Sequence, residues 1–288
     1  MRLISNSEVG TWLHCKRQYY YGFVADLEPK VESDPLTKGT LIHAILEQYY
    51  VGKASGYDES ECVEMAMQPL IDAAQKPYSD ISDLGDVREL MLAYFAHYLE
   101  NDARYKVYAV ETELKANITE NYALAGTIDL IVQDEEDGRF LLWDHKSSYN
   151  FWTDAQAEIT GQFPKYVFLG RQAGLDVKGF IINQIRTRKL KPGNELFRRT
   201  RVNPTENKIR SVMRQHMQAS EEIIAYRQTN DLDLATPRFD KYACAHCSFI
   251  DLCDAQSNGA PTKYIVASEF KKRDGYGYNH REKKEDES

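Results

Sequence analysis

The sequence predicts an α/β fold with a helical N-terminal region, and three observations predict it. Apolar residues stand at helical spacing over Leu36–Val51, Ser60–Gln75 and "VRELMLAYFAHYLEND" before any alternating stretch begins. From Tyr105 the pattern changes to period two in "YKVYAVETELKANI", "YALAGTIDLIVQ" and "RFLLWDHKS", with "DEEDG" as the hairpin turn between the last two. Helix, strand and helix patterns then alternate to the cysteine-rich C-terminal segment, an order that calls for helices packed on a sheet.

In chain order, Ser5 to Phe23 mixes aromatic with basic residues, as in "WLHCKRQYYYGF". Beyond the strands, "DAQAEITGQFPKYVFLGRQAG" reads as one helix closed by a glycine, with Pro164 either early in it or kinking it. "VKGFIINQIRT" reads as a strand and "PTENKIRSVMRQHMQASEEIIAYRQTN" as a long helix opened by a proline. Pro237 begins the cysteine-rich segment, and "KKRDGYGYNHREKKEDES" has too little apolar content to fold alone. The expectation is a single domain over 1–268, made of a helical part (1–104), a sheet core (105–200) and a helix with the cysteine segment (201–268). A disordered charged tail follows over 269–288. No internal repeat is present.

With 288 residues, 42% hydrophobic and 28% charged, the chain reads as an ordinary soluble protein. No apolar run approaches the roughly 20 residues that span a bilayer, and the start lacks a secretory core. A cytoplasmic location and no membrane partner are therefore expected, and a bacterial or phage-infected cell is the suspected setting. The net charge of -8 argues against coating nucleic acid by bulk attraction. Charge is uneven, however: "RTRKLKPGNELFRRTR" holds seven basic residues against Glu195 alone. Such a run is more often a solvated loop than a contact surface.

Within the strands, Asp129 interrupts Ile128 and Leu130, and Asp144 and Lys146 follow directly on Leu141, Leu142 and Trp143. Burying an unpaired charge there costs on the order of several kcal/mol, comparable with the whole margin of stability. Alternation puts Asp144 and Lys146 on one strand face and His145 on the other. Two carboxylates and a lysine at a sheet end can share a divalent cation, which would neutralise the acids and bind water and a phosphate oxygen. The competing reading is a plain Asp144–Lys146 ion pair at a fraying strand end.

At "GTID" and "DHK" the chain resembles the PD-(D/E)XK nuclease superfamily, and especially its RecB-like branch. The resemblance implies a restriction-endonuclease-like mixed central sheet flanked by helices. It implies Asp129 and Asp144 as metal ligands and Lys146 as the catalytic lysine. "KGTLIHAILEQYY" resembles the branch's N-terminal helix, which makes His43 a further metal ligand. "AVETEL" resembles the strand before the glycine motif, with Glu111 at the acidic position and Glu113 able to substitute. "GQFPKY" resembles the glutamine-to-tyrosine motif, in which Gln162 and Tyr166 support the site and touch the DNA backbone. Pro164 within that motif and His145 at the variable position depart from the pattern. With His43 as a ligand, Mn2+ becomes as plausible as Mg2+.

"CAHCSFIDLC" places Cys244, Cys247 and Cys253 two and then five residues apart, good thiolate ligands in a reducing compartment. Cys15 is the fourth candidate, whereas Cys62 sits in an amphipathic helix as a small apolar residue. A distant cysteine before the core and a trio after it resembles the CRISPR-associated and AddB-type iron–sulfur members of the branch. That resemblance implies a structural [4Fe–4S] cluster clipping the chain ends together, and four thiolates also suit zinc. The function implied is a DNA nuclease, an exonuclease acting on single strands or DNA ends in recombination, repair or replication. No glycine-rich loop ending in Gly-Lys-Ser/Thr is present, so unwinding would need a separate helicase or recombination protein. An oligomer stays open, since relatives that thread single strands often form rings. The alternative is a non-catalytic DNA-binding module held by zinc or iron–sulfur.

Overall fold

The computed structural model describes residues 1–31, 34–75, 81–188 and 193–273. In chain order the elements open with β1 (Arg2–Ser5), α1 (Asn6–His14), α2 (Lys16–Tyr19) and β2 (Leu27–Pro29). Four helices follow: α3 (Asp34–Ala54), α4 (Glu59–Ala66), α5 (Gln68–Ala74) and α6 (Ile81–Asp102). The centre comprises β3 (Tyr105–Asn117), β4 (Tyr122–Asp134), β5 (Phe140–Ser148), α7 (Asp154–Ile159), α8 (Gln162–Gln172), β6 (Val177–Arg186) and β7 (Phe197–Val202). The chain then forms α9 (Glu206–Thr229), α10 (Lys241–Cys244), α11 (Ile250–Ser257), α12 (Lys263–Glu269) and β8 (Phe270–Lys272). The fold is thus mixed α/β, as the sequence predicts.

The chain divides into two compact units. One, the sheet unit, holds Ser33–Lys115 and Gly126–Ile209; the other, the cysteine unit, holds Met1–Glu32, Ala116–Ala125 and Arg210–Ser288. In the sheet unit β3 pairs with β4, and β4, β5, β6 and β7 lie side by side in that order. The β4–β5 hairpin is antiparallel, β5–β6 parallel and β6–β7 antiparallel, so the sheet is mixed. One face carries Leu130, Val132, Leu141, Trp143, Ile181 and Ile185, packed with Ile42, Leu46, Met91 and Tyr94 of α3 and α6. The other face receives α8: Phe163 stacks on Phe180 at 4.4 Å, and Gly170 lets the helix close against Val177 and Leu142.

In the cysteine unit β1 runs parallel to Tyr122–Ala125, the opening residues of β4. Ser5 caps α1 by accepting from the Glu8 backbone N–H. Trp12, Tyr19 and Tyr226 form an aromatic cluster with centroids 5.1–6.2 Å apart. A second, smaller core joins Tyr21, Leu27, Phe249, Leu252 and Phe270, the last on β8, which pairs with β2.

Three elements differ from expectation. The helix expected over Ser60–Gln75 breaks at Met67, because Pro69 opens a new helix and cannot continue the old one. The helix expected over 154–174 breaks at Thr160–Gly161, so Pro164 falls in the first turn of α8, where a missing N–H costs nothing. Within the basic run read as a solvated loop, Phe197–Val202 forms β7. Residues 189–192 of that run, and 274–288 of the expected tail, lie outside the described residues; Phe270–Lys272 at the head of that tail is β8.

Candidate active site

The site grows from the β4–β5 hairpin. Its register pairs Leu130 with Trp143, and continued by one residue it sets Asp129 across from Asp144. The His145 backbone N–H donates to Asp129 Oδ2 at 2.7 Å and locks that carboxylate. Lys146 Nζ lies 2.7 Å from Asp144 Oδ2 as an ion pair, yet that oxygen is buried and its geometry satisfies no hydrogen bond. Asp144 Oδ1 accepts from Gln162 Nε2 at 3.0 Å, and the same amide donates to the Tyr166 hydroxyl at 3.1 Å. Gln162 and Tyr166 are one helical turn apart on α8, so a single face of the helix reaches the carboxylate. Gly126 makes this approach possible: a Cβ there would stand 2.8 Å from Tyr166 Cε1 and 3.1 Å from Leu169 Cδ1.

From the other side α3 brings in His43, whose Nδ1 lies 3.6 Å from Asp129 Oδ2. Each of His43, Glu111 and Asp129 offers a ligand atom, and these three atoms lie within 4.8 Å of one another. Glu111 takes a left-handed backbone, φ 44°, inside β3. That conformation breaks the strand's alternation, so Glu111 joins the group while Glu113 pairs with Lys115 at 2.8 Å.

Electrostatics mark the site as a place for positive charge. Burial first, then Asp144, pushes the Asp129 carboxyl well above its usual range. Burial also raises Asp144, against the pull of Lys146. Glu111 is pushed up to about 7 by desolvation, then by Glu47 and Asp144. Burial lowers His43, favouring the neutral imidazole that ligates metals. Crowding and burial disfavour the ionised form of these acids, and a nearby cation favours it.

Beneath the site runs a network that the sequence reading missed. His145 is buried on the opposite face of β5, stacked on Tyr50 with ring planes 6° apart. Its Nδ1 bonds the Asn183 side chain at 2.9 Å, and Asn183 Oδ1 accepts from Arg199 Nε at 3.3 Å. Arg199 forms a two-pronged pair with Asp102 and lies over the Tyr98 and Trp143 rings. The polar Asn183 within the apolar run "GFIINQI" was the available signal.

The other predicted ligands lie in the cysteine unit. Cys15 ends α1, Cys244 ends α10, Cys247 follows, and Cys253 lies in α11. All four are free and half-buried, whereas Cys62 is fully buried in the sheet unit. Burial raises the Cys247 thiol, with Cys15 and Cys244 adding to it; burial raises Cys253 too, with further contributions from Cys15 and Cys247.

A sequence profile of the PD-(D/E)XK nuclease superfamily matches residues 3–254. The chain belongs to that superfamily. No curated protein matches it. Among solved structures, a protein from Eubacterium rectale described as a candidate exonuclease is 13% identical with a TM-score of 0.51, covering 80% of this chain and 83% of its own. SSO0001 is 17% identical at a TM-score of 0.36, covering 85% of this chain and 96% of its own. LHK-Exo in complex with dAMP is 13% identical at 0.31, covering 66% and 97%. At these identities the first likeness speaks to the fold alone. No described helix is long and apolar enough to cross a membrane.

Proposed function

We propose that this nuclease-superfamily chain is a divalent-metal-dependent deoxyribonuclease, an exonuclease working on single strands or DNA ends in recombination, repair or replication. The observation that carries the reading is the convergence of His43, Glu111 and Asp129 beside the buried Asp144–Lys146 pair. The donor set fits Mg2+ or Mn2+: carboxylate oxygens, one neutral imidazole and a buried Asp144 carboxylate facing Lys146. When bound, the cation would supply a Lewis acid for a phosphate oxygen and an acidified water.

The chain's own residues do the rest. Asp129 and Asp144 would hold the ion with His43 and Glu111. Lys146 orients the attacking water and stabilises the negative charge that develops at phosphorus. Gln162 fixes Asp144 and Tyr166 fixes Gln162; by the family resemblance both would also touch the DNA backbone. Cys15, Cys244, Cys247 and Cys253 suit a [4Fe–4S] cluster with a structural role, zinc being the competing occupant. A separate helicase or recombination protein would supply any unwinding.

The test is cleavage of end-labelled single- and double-stranded DNA with Mg2+, Mn2+ or a chelator. Wild type should degrade the single strand only with metal. Asp144→Ala and Lys146→Ala should lose at least ~100-fold in rate, as for removal of one key charge-stabilising group. If both variants cut as fast as wild type, the assignment is wrong.

A further inference from the structure

Resting on the nuclease reading above, we propose that Tyr149, backed by Arg188, is a stacking platform for an unpaired base of the substrate strand. β5 carries Asp144 and Lys146 and ends at Ser148. The next four residues, "YNFW", contain three aromatics. Phe151 is buried between two guanidinium groups, Arg186 at 4.0 Å and Arg198 at 4.6 Å from its centroid, and so anchors the loop. Tyr149 is the opposite case. It is 65% exposed, with the Arg188 guanidinium 4.9 Å from its ring centroid.

The parallel register pairs Lys146 with Gln184 and Ser148 with Arg186, so Tyr149 and Arg188 leave the sheet at the end that carries the lysine. Three residues at about 3.3 Å each put the Tyr149 Cα within about 10 Å of the Lys146 Cα. Stacked nucleotides rise about 3.4 Å apiece, so that Cα separation spans about three nucleotides or fewer. An exposed aromatic face with an arginine behind it accepts any base, and the guanidinium attracts the adjoining phosphate. Glu195 and Asp154 offset the charge of Arg198, so the charge offered to a phosphate here is that of Arg186 and Arg188. Duplex bases have their faces covered by neighbours and gain nothing from the ring. The fitting occupant is single-stranded DNA.

The experiment measures binding of the full chain, with the divalent cation chelated, to a single strand bearing a fluorescent adenine analogue and to the matching duplex. Tyr149→Ala should weaken single-strand binding ~10-fold and abolish quenching of the analogue, while Tyr149→Phe keeps both. Duplex affinity should not change. Single-strand binding by Tyr149→Ala as tight as wild type overturns the proposal. Equal loss on single strand and duplex also overturns it, by assigning the patch to bulk phosphate attraction. The nuclease reading fails separately: a wild type that binds and quenches but never cuts with metal present would sink that reading and leave the platform standing.

Discussion

Glu111 has a backbone that L-residues seldom adopt and a carboxyl held near neutrality. The left-handed φ costs about 1–3 kcal/mol unless its surroundings over-determine it, and such strain concentrates where geometry serves chemistry. Its folded-state value of about 7 stands above the ordinary 4.5, so the folded chain keeps this proton where the unfolded chain releases it. Its contribution to metal-free stability is therefore full below about 4.5 and lost as pH rises to about 7. A bound cation reverses that order, because it needs the ionised form. Mn2+ should thus raise Tm more at about pH 8 than at about pH 6, and Glu111→Gln should narrow the difference. Equal shifts at both values in a thermal melt would remove Glu111 from the ligand group. In the sequence, "AVETEL" offered two acids on one strand face and no way to choose. The choice lies in a single dihedral, which composition does not encode.

β5 works on both faces. Asp144 and Lys146 pair at 2.7 Å on one face, as alternation predicts, while the roles proposed for them came from the resemblance. His145 points the other way, into the chain of contacts through Asn183 and Arg199 to Asp102. Removing one partner from such a buried pair leaves the other uncompensated. Asp102→Ala should cost about 3–5 kcal/mol, read from the urea midpoint, and Asp102→Leu combined with Arg199→Met should cost less. A loss under about 1 kcal/mol for Asp102→Ala would mean that water, not Asp102, balances the guanidinium. Arg199 was hidden in the sequence because it is one of seven basic residues in a run that resembles solvated loop. What buries it is an aspartate 97 positions earlier, a distance no local pattern reports. The break before α8 was only half legible: Pro164 announced an irregularity, but Thr160 and Gly161 decided where it fell.

For the whole chain, the class of fold and the sheet core could be read from periodicity, since long apolar strands and amphipathic helices carry strong signals. The four-residue β1 and three-residue β2 and β8 could not, because pairing rather than propensity makes them strands. The cysteine set was proposed through resemblance, and all four of its members fall in one unit. Metal ligation there would contribute folding energy directly. Cys15→Ser should lose iron, broad visible absorbance and much of its stability, whereas Cys62→Ser should keep its iron. Equal iron content in the two purified variants would strike Cys15 from the set.

The cysteine unit is assembled from the first 32 residues, a short middle piece and everything after Ile209. The sheet unit is complete once Ile209 has been made. On a ribosome adding about 5–20 residues per second, Cys253 follows that point by a few seconds. Throughout that interval the cluster proposed for Cys15, Cys244, Cys247 and Cys253 could not form. Maturation of the cysteine unit is thereby a late event in the life of the chain, and truncated products that stop before Cys253 would carry a finished sheet unit and an unfinished cysteine unit.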